Sequence, residues 1–211
     1  MLRNPNGLAR ALMILLAANI AFDIPLGVIL LRDLSTDYQY GDGPDALAMA
    51  GADLATYVLS ILVFLATMVV FIVWFHLVRR NAEVFAPDAH ERSVGWAIGG
   101  WFVPIACFWI PRGTAADIWR ASRRDPSAAD GPGELRILNL WWGFWVASRL
   151  ALWGSDRLSS GADTLDDALT ATWWTLAGVV LDVVAASFAI LFVRRLTSMQ
   201  DAKANGMIPA A

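Results

Sequence analysis

Residues 54–75 contain no Asp, Glu, Lys, Arg or His, and Arg79-Arg80 stops the run about one turn later. At about 1.5 Å per residue such a stretch matches a hydrocarbon layer about 30 Å thick. Lipid offers no hydrogen bonds, so the segment must pair its own backbone groups, which makes it an α-helix. Tyr57 near one end and Trp74 and Phe75 near the other fit interfacial aromatic belts. The span is read as 54–78. Composition agrees: the chain is 57% hydrophobic and only 17% charged, against a usual charged share of about 25%.

Three further apolar runs have the same character. Residues 11–31 lie between Arg10 and Arg32 and carry only Asn19 and Asp23 as strongly polar groups. The run continues well past Ala17-Ala18-Asn19, so it reads as an uncleaved span, not a signal peptide. Asp23-Ile24-Pro25 is expected to kink it. Residues 137–154 carry Trp141, Trp142 and Trp145 early, Trp153 late and Arg149 inside. Residues 168–193 contain Asp182 and end in Arg194-Arg195. Between the runs, 33–53 reads as an acidic loop with a Gly41-Asp42-Gly43-Pro44 turn, 81–93 as a mixed-charge loop, 123–134 as a flexible loop and 155–167 as an acidic loop. The tail with Lys203, Gly206 and Pro209 should be loose.

A fifth apolar stretch decides the topology. Residues 95–111 form a tryptophan-rich block that Pro104 interrupts and Pro111 ends. At helical rise it would reach about 25 Å, short of the hydrocarbon thickness. If it does not cross, Arg3, Arg10, Arg79, Arg80, Arg92, Arg112, Arg120, Arg123, Arg124, Arg136, Arg194, Arg195 and Lys203 share one side. The other side keeps Arg32 and Arg157 and collects Asp33, Asp37, Asp42, Asp45, Asp53, Asp156, Asp163, Asp166 and Asp167. That asymmetry places both termini in the cytoplasm. If the stretch crosses, the asymmetry largely collapses. The favoured architecture is therefore an all-α, single-domain membrane bundle (1–211) with four transmembrane helices. A proline-broken re-entrant or interfacial hairpin over about 94–122 completes it, and five transmembrane helices is the alternative. Gly95, Gly99 and Gly100 would let the hairpin approach its neighbours closely.

Asp23, Arg149 and Asp182 are the ionisable groups deepest in the spans, each about 18 Å from the cytoplasmic end of its helix. Leaving one such charge in lipid costs at least about 3 kcal/mol, and pairing inside the bundle offsets much of that. Arg149 is expected between Asp23 and Asp182, with Asn19 one turn from Asp23. Such a layer marks an ion or substrate path, or it fixes helix register as a buried ion triad. Arg149 snorkelling outward, or Asp23 reaching the outer interface, are further structural readings. Asp23 follows Arg10 at the spacing at which Arg149 follows Arg136, and Val78-Arg79-Arg80 matches Val193-Arg194-Arg195. This faint repeat has a transporter precedent, although any two hairpins with cytoplasmic ends would share arginine bookends.

A second constellation lies at the cytoplasmic ends. Trp74, Arg80 and Asn81, the block Gly99-Gly100-Trp101-Phe102-Val103-Pro104-Ile105, Pro111, the run Asp117-Ile118-Trp119-Arg120-Ala121-Ser122 and the pair Trp141-Trp142 form one pattern. It resembles an uncharacterised bacterial integral-membrane family known only as a domain of unknown function, over roughly 54–195. The resemblance implies a bacterial inner (plasma) membrane protein and carries no activity. The position after Pro111 is often aromatic in that family, and Arg112 departs from it. Arg79, Arg80, Asn81, Asp117, Trp119 and Arg120 would gather at the interface. There an Arg79 or Arg80 pair with Asp117 would pin the hairpin to the second span. Alternatively the cluster is a site for an anionic head group or a peptide.

No Gly-rich phosphate loop and no Gly-x-Ser-x-Gly elbow occurs. His76, His90 and Cys107 have no metal-ligand spacing, and the single cysteine excludes an internal disulfide. No catalytic residue, metal or cofactor is assigned, and the spread of arginines along a membrane face argues against nucleic acid. The expected partners are the bilayer, its anionic head groups and an unidentified protein. The leading expectation is a non-catalytic binding, scaffold or assembly module. A small transporter or channel using Asp23, Arg149 and Asp182 comes second, and a lipid-modifying enzyme third.

Overall fold

The computed structural model describes residues 2–35, 44–90 and 92–207. Among them every regular element is helical: α1 (Asn6–Ser35), α2 (Pro44–Phe85), α3 (Trp96–Gly99), α4 (Ile110–Ala121), α5 (Arg136–Ser160) and α6 (Leu165–Met207). Short 3-10 turns occupy Pro87–Ala89 and Ala106–Phe108. Three helices, α1, α2 and α6, are long and apolar enough to cross a membrane. Their outward faces carry exposed apolar side chains such as Ile14, Ile24, Val28, Leu54, Ile61 and Leu62. The long helices pack in an arc, α5 on α6, α6 on α1 and α1 on α2, and no comparable packing joins α2 to α5.

The helices run further than their apolar cores. At 42 and 43 residues, α2 and α6 are each about 60 Å long, twice a hydrocarbon layer. So Pro44–Asp53, read as loop, is helix, as are residues 81–85 and 155–160. The turn expected over Gly41-Asp42-Gly43 lies outside the described residues. The tail expected to be loose is helix as far as Met207, and its polar groups explain why. Gln200 is 1% exposed and donates to the Val78 carbonyl (2.9 Å) and to Ser122 Oγ (3.2 Å). Lys203 Nζ donates to the carbonyls of Ala121 (2.9 Å) and Arg123 (2.6 Å), capping the C-terminus of α4. Pro209 lies outside the described residues. Helix α1 runs through Pro25.

Residues 93–109 are an irregular wedge. Helix α3 lasts one turn, Pro104 follows in a string of turns, and Ile105 has a φ of 63°. A β-branched residue there is a true backbone outlier, costing about 1–3 kcal/mol. Pro111 does not end a helix but opens α4, where its missing N–H has no intrahelical partner to lose. Of the three glycines expected to allow close approach, only Gly100 does so. A Cβ there would stand 2.7 Å from Ile110 Cγ2, whereas Gly99 faces open space and Gly95 meets only Ser93 Oγ at 4.0 Å. The wedge and α4 together form a stretch that begins and ends at one end of the bundle. Arg79 Nη2 donates to the Arg92 carbonyl (2.7 Å) at its start, and Ser122 meets Gln200 at its finish. The N-terminus joins them there through Arg3, whose N–H and carbonyl both bond Asn81.

Candidate functional site

The principal core lies at the wedge end. Trp74, Phe75 and Phe192 are fully buried, and Phe192 contacts Trp74, Trp119 and Trp141 with ring centroids 6.3, 5.9 and 5.0 Å away. Trp101, projecting from the wedge, bridges the gap between the outer helices of the arc. Its ring lies 5.2 Å from Phe71 and 6.1 Å from Phe75 on α2, and 5.8 and 5.9 Å from Trp142 and Trp145 on α5. Trp142 Nε1 donates to the Phe108 carbonyl (2.9 Å), tying the wedge to α5.

Farther along the bundle sits the layer of polar groups. Arg149 Nη2 donates to Asp182 Oδ1 at 2.8 Å. Ser148, fully buried, donates to the same oxygen (3.2 Å) and accepts from Arg149 Nη2 (3.1 Å). Asp23 on α1 lies within electrostatic reach of both Asp182 and Arg149, and its Oδ2 is buried without a hydrogen-bond partner. Asn19 does not join that group. Its Nδ2 donates instead to Thr67 Oγ1 (2.6 Å) and the Leu15 carbonyl (2.8 Å), linking α1 to α2. Thr67 and Ser148 went unremarked in the sequence, where a hydroxyl inside an apolar run carries little signal.

Between the wedge and this layer lies a cavity of about 250 Å³. Its floor is aromatic: Phe71, Trp101, Trp141 and Trp145. Phe64 on α2 and Phe102 in the wedge also line it, and both are partly open to the surroundings. Ala185, Ala186 and Ala189 make one wall of α6 small enough to leave the space. Four polar residues reach it: Asn19, Thr67, Cys107 and Asp182. Trp101 Nε1 is buried and has no acceptor in the fold. The arrangement is that of a ligand pocket, mostly apolar with a few placed polar groups.

The residues expected to gather at the cytoplasmic ends divide into separate braces. Arg79, 2% exposed, holds the Arg92 carbonyl, while Arg80 is exposed. Asn81 also donates to Gln200 Oε1 (3.1 Å). Trp119 Nε1 donates to Glu134 (3.2 Å). Arg120 pairs with Asp117 (3.4 Å) and Asp130 (2.8 Å), and Arg123 with Asp130 (2.5 Å). Hydrogen bonds from Arg120 and then Arg123 hold the Asp130 carboxyl down at about 2. The 123–134 loop is thus cross-braced. Pro104 and Pro111 shape the wedge and bring no chemistry of their own. The two Val-Arg-Arg steps are not equivalent, since Arg79 is buried while Arg194 and Arg195 are exposed.

Residues 42–198, most of the chain, match the family described as Domain of unknown function (DUF4328). No curated protein and no solved structure matches.

Proposed function

We propose that this protein, which belongs to the DUF4328 family of unknown function, is a non-catalytic membrane module that binds an apolar ligand in the cavity beneath its wedge. In this reading the bundle crosses the inner membrane four times, through α1, α2, α5 and α6. The wedge enters and leaves on the cytoplasmic side, and both termini face the cytoplasm. The positive side of the chain and the shared end of wedge and N-terminus support that orientation. Helix α5 is the least apolar of the four, and its Arg149 is paired rather than lipid-exposed in this reading.

The cavity carries the functional reading. It is apolar, it has an edge between α2 and α5, which meet through rings such as Phe71 and Trp141 (5.7 Å) and not through close helix packing, and three of its four polar residues come from the helices, Cys107 coming from the wedge. Asn19 and Thr67 are engaged with each other, which suits orienting a ligand more than performing acid-base work. A transport reading gains from one observation: Asp182 both lines the cavity and belongs to the charge layer.

Cys107 lines the cavity and reports on it. Its reaction with a small neutral thiol reagent should slow about tenfold in Ala186→Phe, where the new ring fills the space a ligand would take. An unchanged rate, with the variant folded, removes the cavity from consideration. Single cysteines at Ser127 and Ser159, on a Cys107→Ser background, should label from opposite sides of the membrane, Ser127 from the cytoplasm.

A further inference from the structure

The cavity joins two features that are separately ordinary. Its lining is aromatic, with Phe64, Phe71, Trp101, Trp141 and Trp145 turned around one space. Its far end is a carboxylate, Asp182. The layer to which Asp182 belongs contains two carboxylates and one guanidinium, because Asp23 lies within reach of the Arg149–Asp182 pair. Helix α2 contributes Thr67 at that level and no charge, and the wedge contributes Trp101 and Cys107. No Lys, Arg or His lines the cavity. With Asp23 ionised the layer carries one more negative charge than positive, in a setting where charge is costly, so a cation in the cavity would offset that charge and a proton on Asp23 does so without one. Aromatic faces attract cations through their quadrupoles, most strongly where water is excluded. An anionic ligand would meet the Asp182 carboxylate with no cationic side chain among the lining residues, and a neutral one would gain nothing from that carboxylate.

Resting on the reading of this cavity as a binding site, we infer that its ligand is an amphiphilic organic cation, an ammonium group carrying apolar substituents, seated among the tryptophans with its charge toward Asp182. The volume suits a head the size of a benzylated or short-chain quaternary ammonium, with any longer chain leaving between α2 and α5.

Two probes of one shape separate the inference from the reading beneath it. Benzyltrimethylammonium and neopentylbenzene differ in having nitrogen or carbon at one atom, hence in charge alone. Each is titrated against the full chain in detergent, and protection of Cys107 from a small neutral thiol reagent is read. The cation should protect at a concentration at least about tenfold lower than its uncharged twin. Equal protection by both overturns the cation inference and leaves an apolar binding site standing. Protection by neither overturns both. In Asp23→Asn, which evens the charge count while leaving the Arg149–Asp182 pair intact, the advantage of the cation should shrink to less than about threefold, with the uncharged probe unaffected. An undiminished advantage in that variant overturns the role given to the uncompensated charge. If the variant does not fold, the wild-type comparison still decides.

Discussion

At the wedge end of the bundle, the side chains that lose their exposure are large: Trp74, Phe75, Ile118, Leu138, Phe192 and Leu196. In the other half they are mostly small: Ser148, Ala151, Ser155 and Ala171, with Gly178 where a Cβ would stand 2.8 Å from Leu152 Cδ2. There the helices are joined by polar contacts. Arg149 meets Asp182, Ser155 donates to the Ala171 carbonyl (2.8 Å), and Arg32 pairs with Asp53 at 2.6 Å. The difference follows from what each half can gain. Lipid tails are as apolar as leucine, so helices in a bilayer associate through close approach of small residues and through hydrogen bonds. At an interface, where water is at hand, burial of aromatic area again stabilises.

The contrast can be broken most forcefully at Phe192. Phe192→Ala empties the centre of the aromatic stack and should cost about 4 kcal/mol, read from denaturant unfolding in detergent. A cost below about 1 kcal/mol would mean the wedge end is no better packed than the rest. A smaller effect is expected in the far half. Asp182→Asn leaves Arg149 without its carboxylate and should cost about 2 kcal/mol, whereas adding Arg149→Met should recover at least half of that loss. If the double variant is the worse of the two, the pair is not what holds α5 to α6 at that level.

The smallest effect concerns pH at the wedge end. Asp130 is held at about 2 against an ordinary 3.8, so its contribution is present above about 4 and is lost as pH falls through about 2. Burial holds His90 below its ordinary 6.5. Its neutral ring favours the fold above that value, and the benefit fades as pH falls beneath it. Unfolding of Asp130→Asn measured from pH 5 to pH 2 should lack the steeper acid limb of the wild type. An identical acid limb in the variant would place that response elsewhere.

Individual residues show how much of this was legible beforehand. The break at Pro104 was readable, because proline lacks a donor and interrupts the helical hydrogen bonds. The reach of α2 and α6 was not. Hydropathy reports where lipid ends, whereas helix continues as long as other groups hold it, as Gln200 and Lys203 hold the end of α6. The layer of Asp23, Arg149 and Asp182 was visible as isolated charges in apolar runs. That Asn19 turns to Thr67 was not, since the partner depends on how each helix is rotated about its axis. The arginines at the wedge end were visible as a group, but their division into separate braces depends on the fold of 123–134.

Chemistry along the chain was enough to settle that it is helical, that long stretches of it suit a bilayer, and how far along its apolar run each stray charge lies, because each of these follows from local composition and helical rise. Which charges touch, which tryptophan bridges α2 and α5, and that a cavity lies between them were decided only when the helices packed. A gap has no residue of its own. It exists because Ala185, Ala186 and Ala189 face Phe71 and Trp101 across a space that neither group can fill.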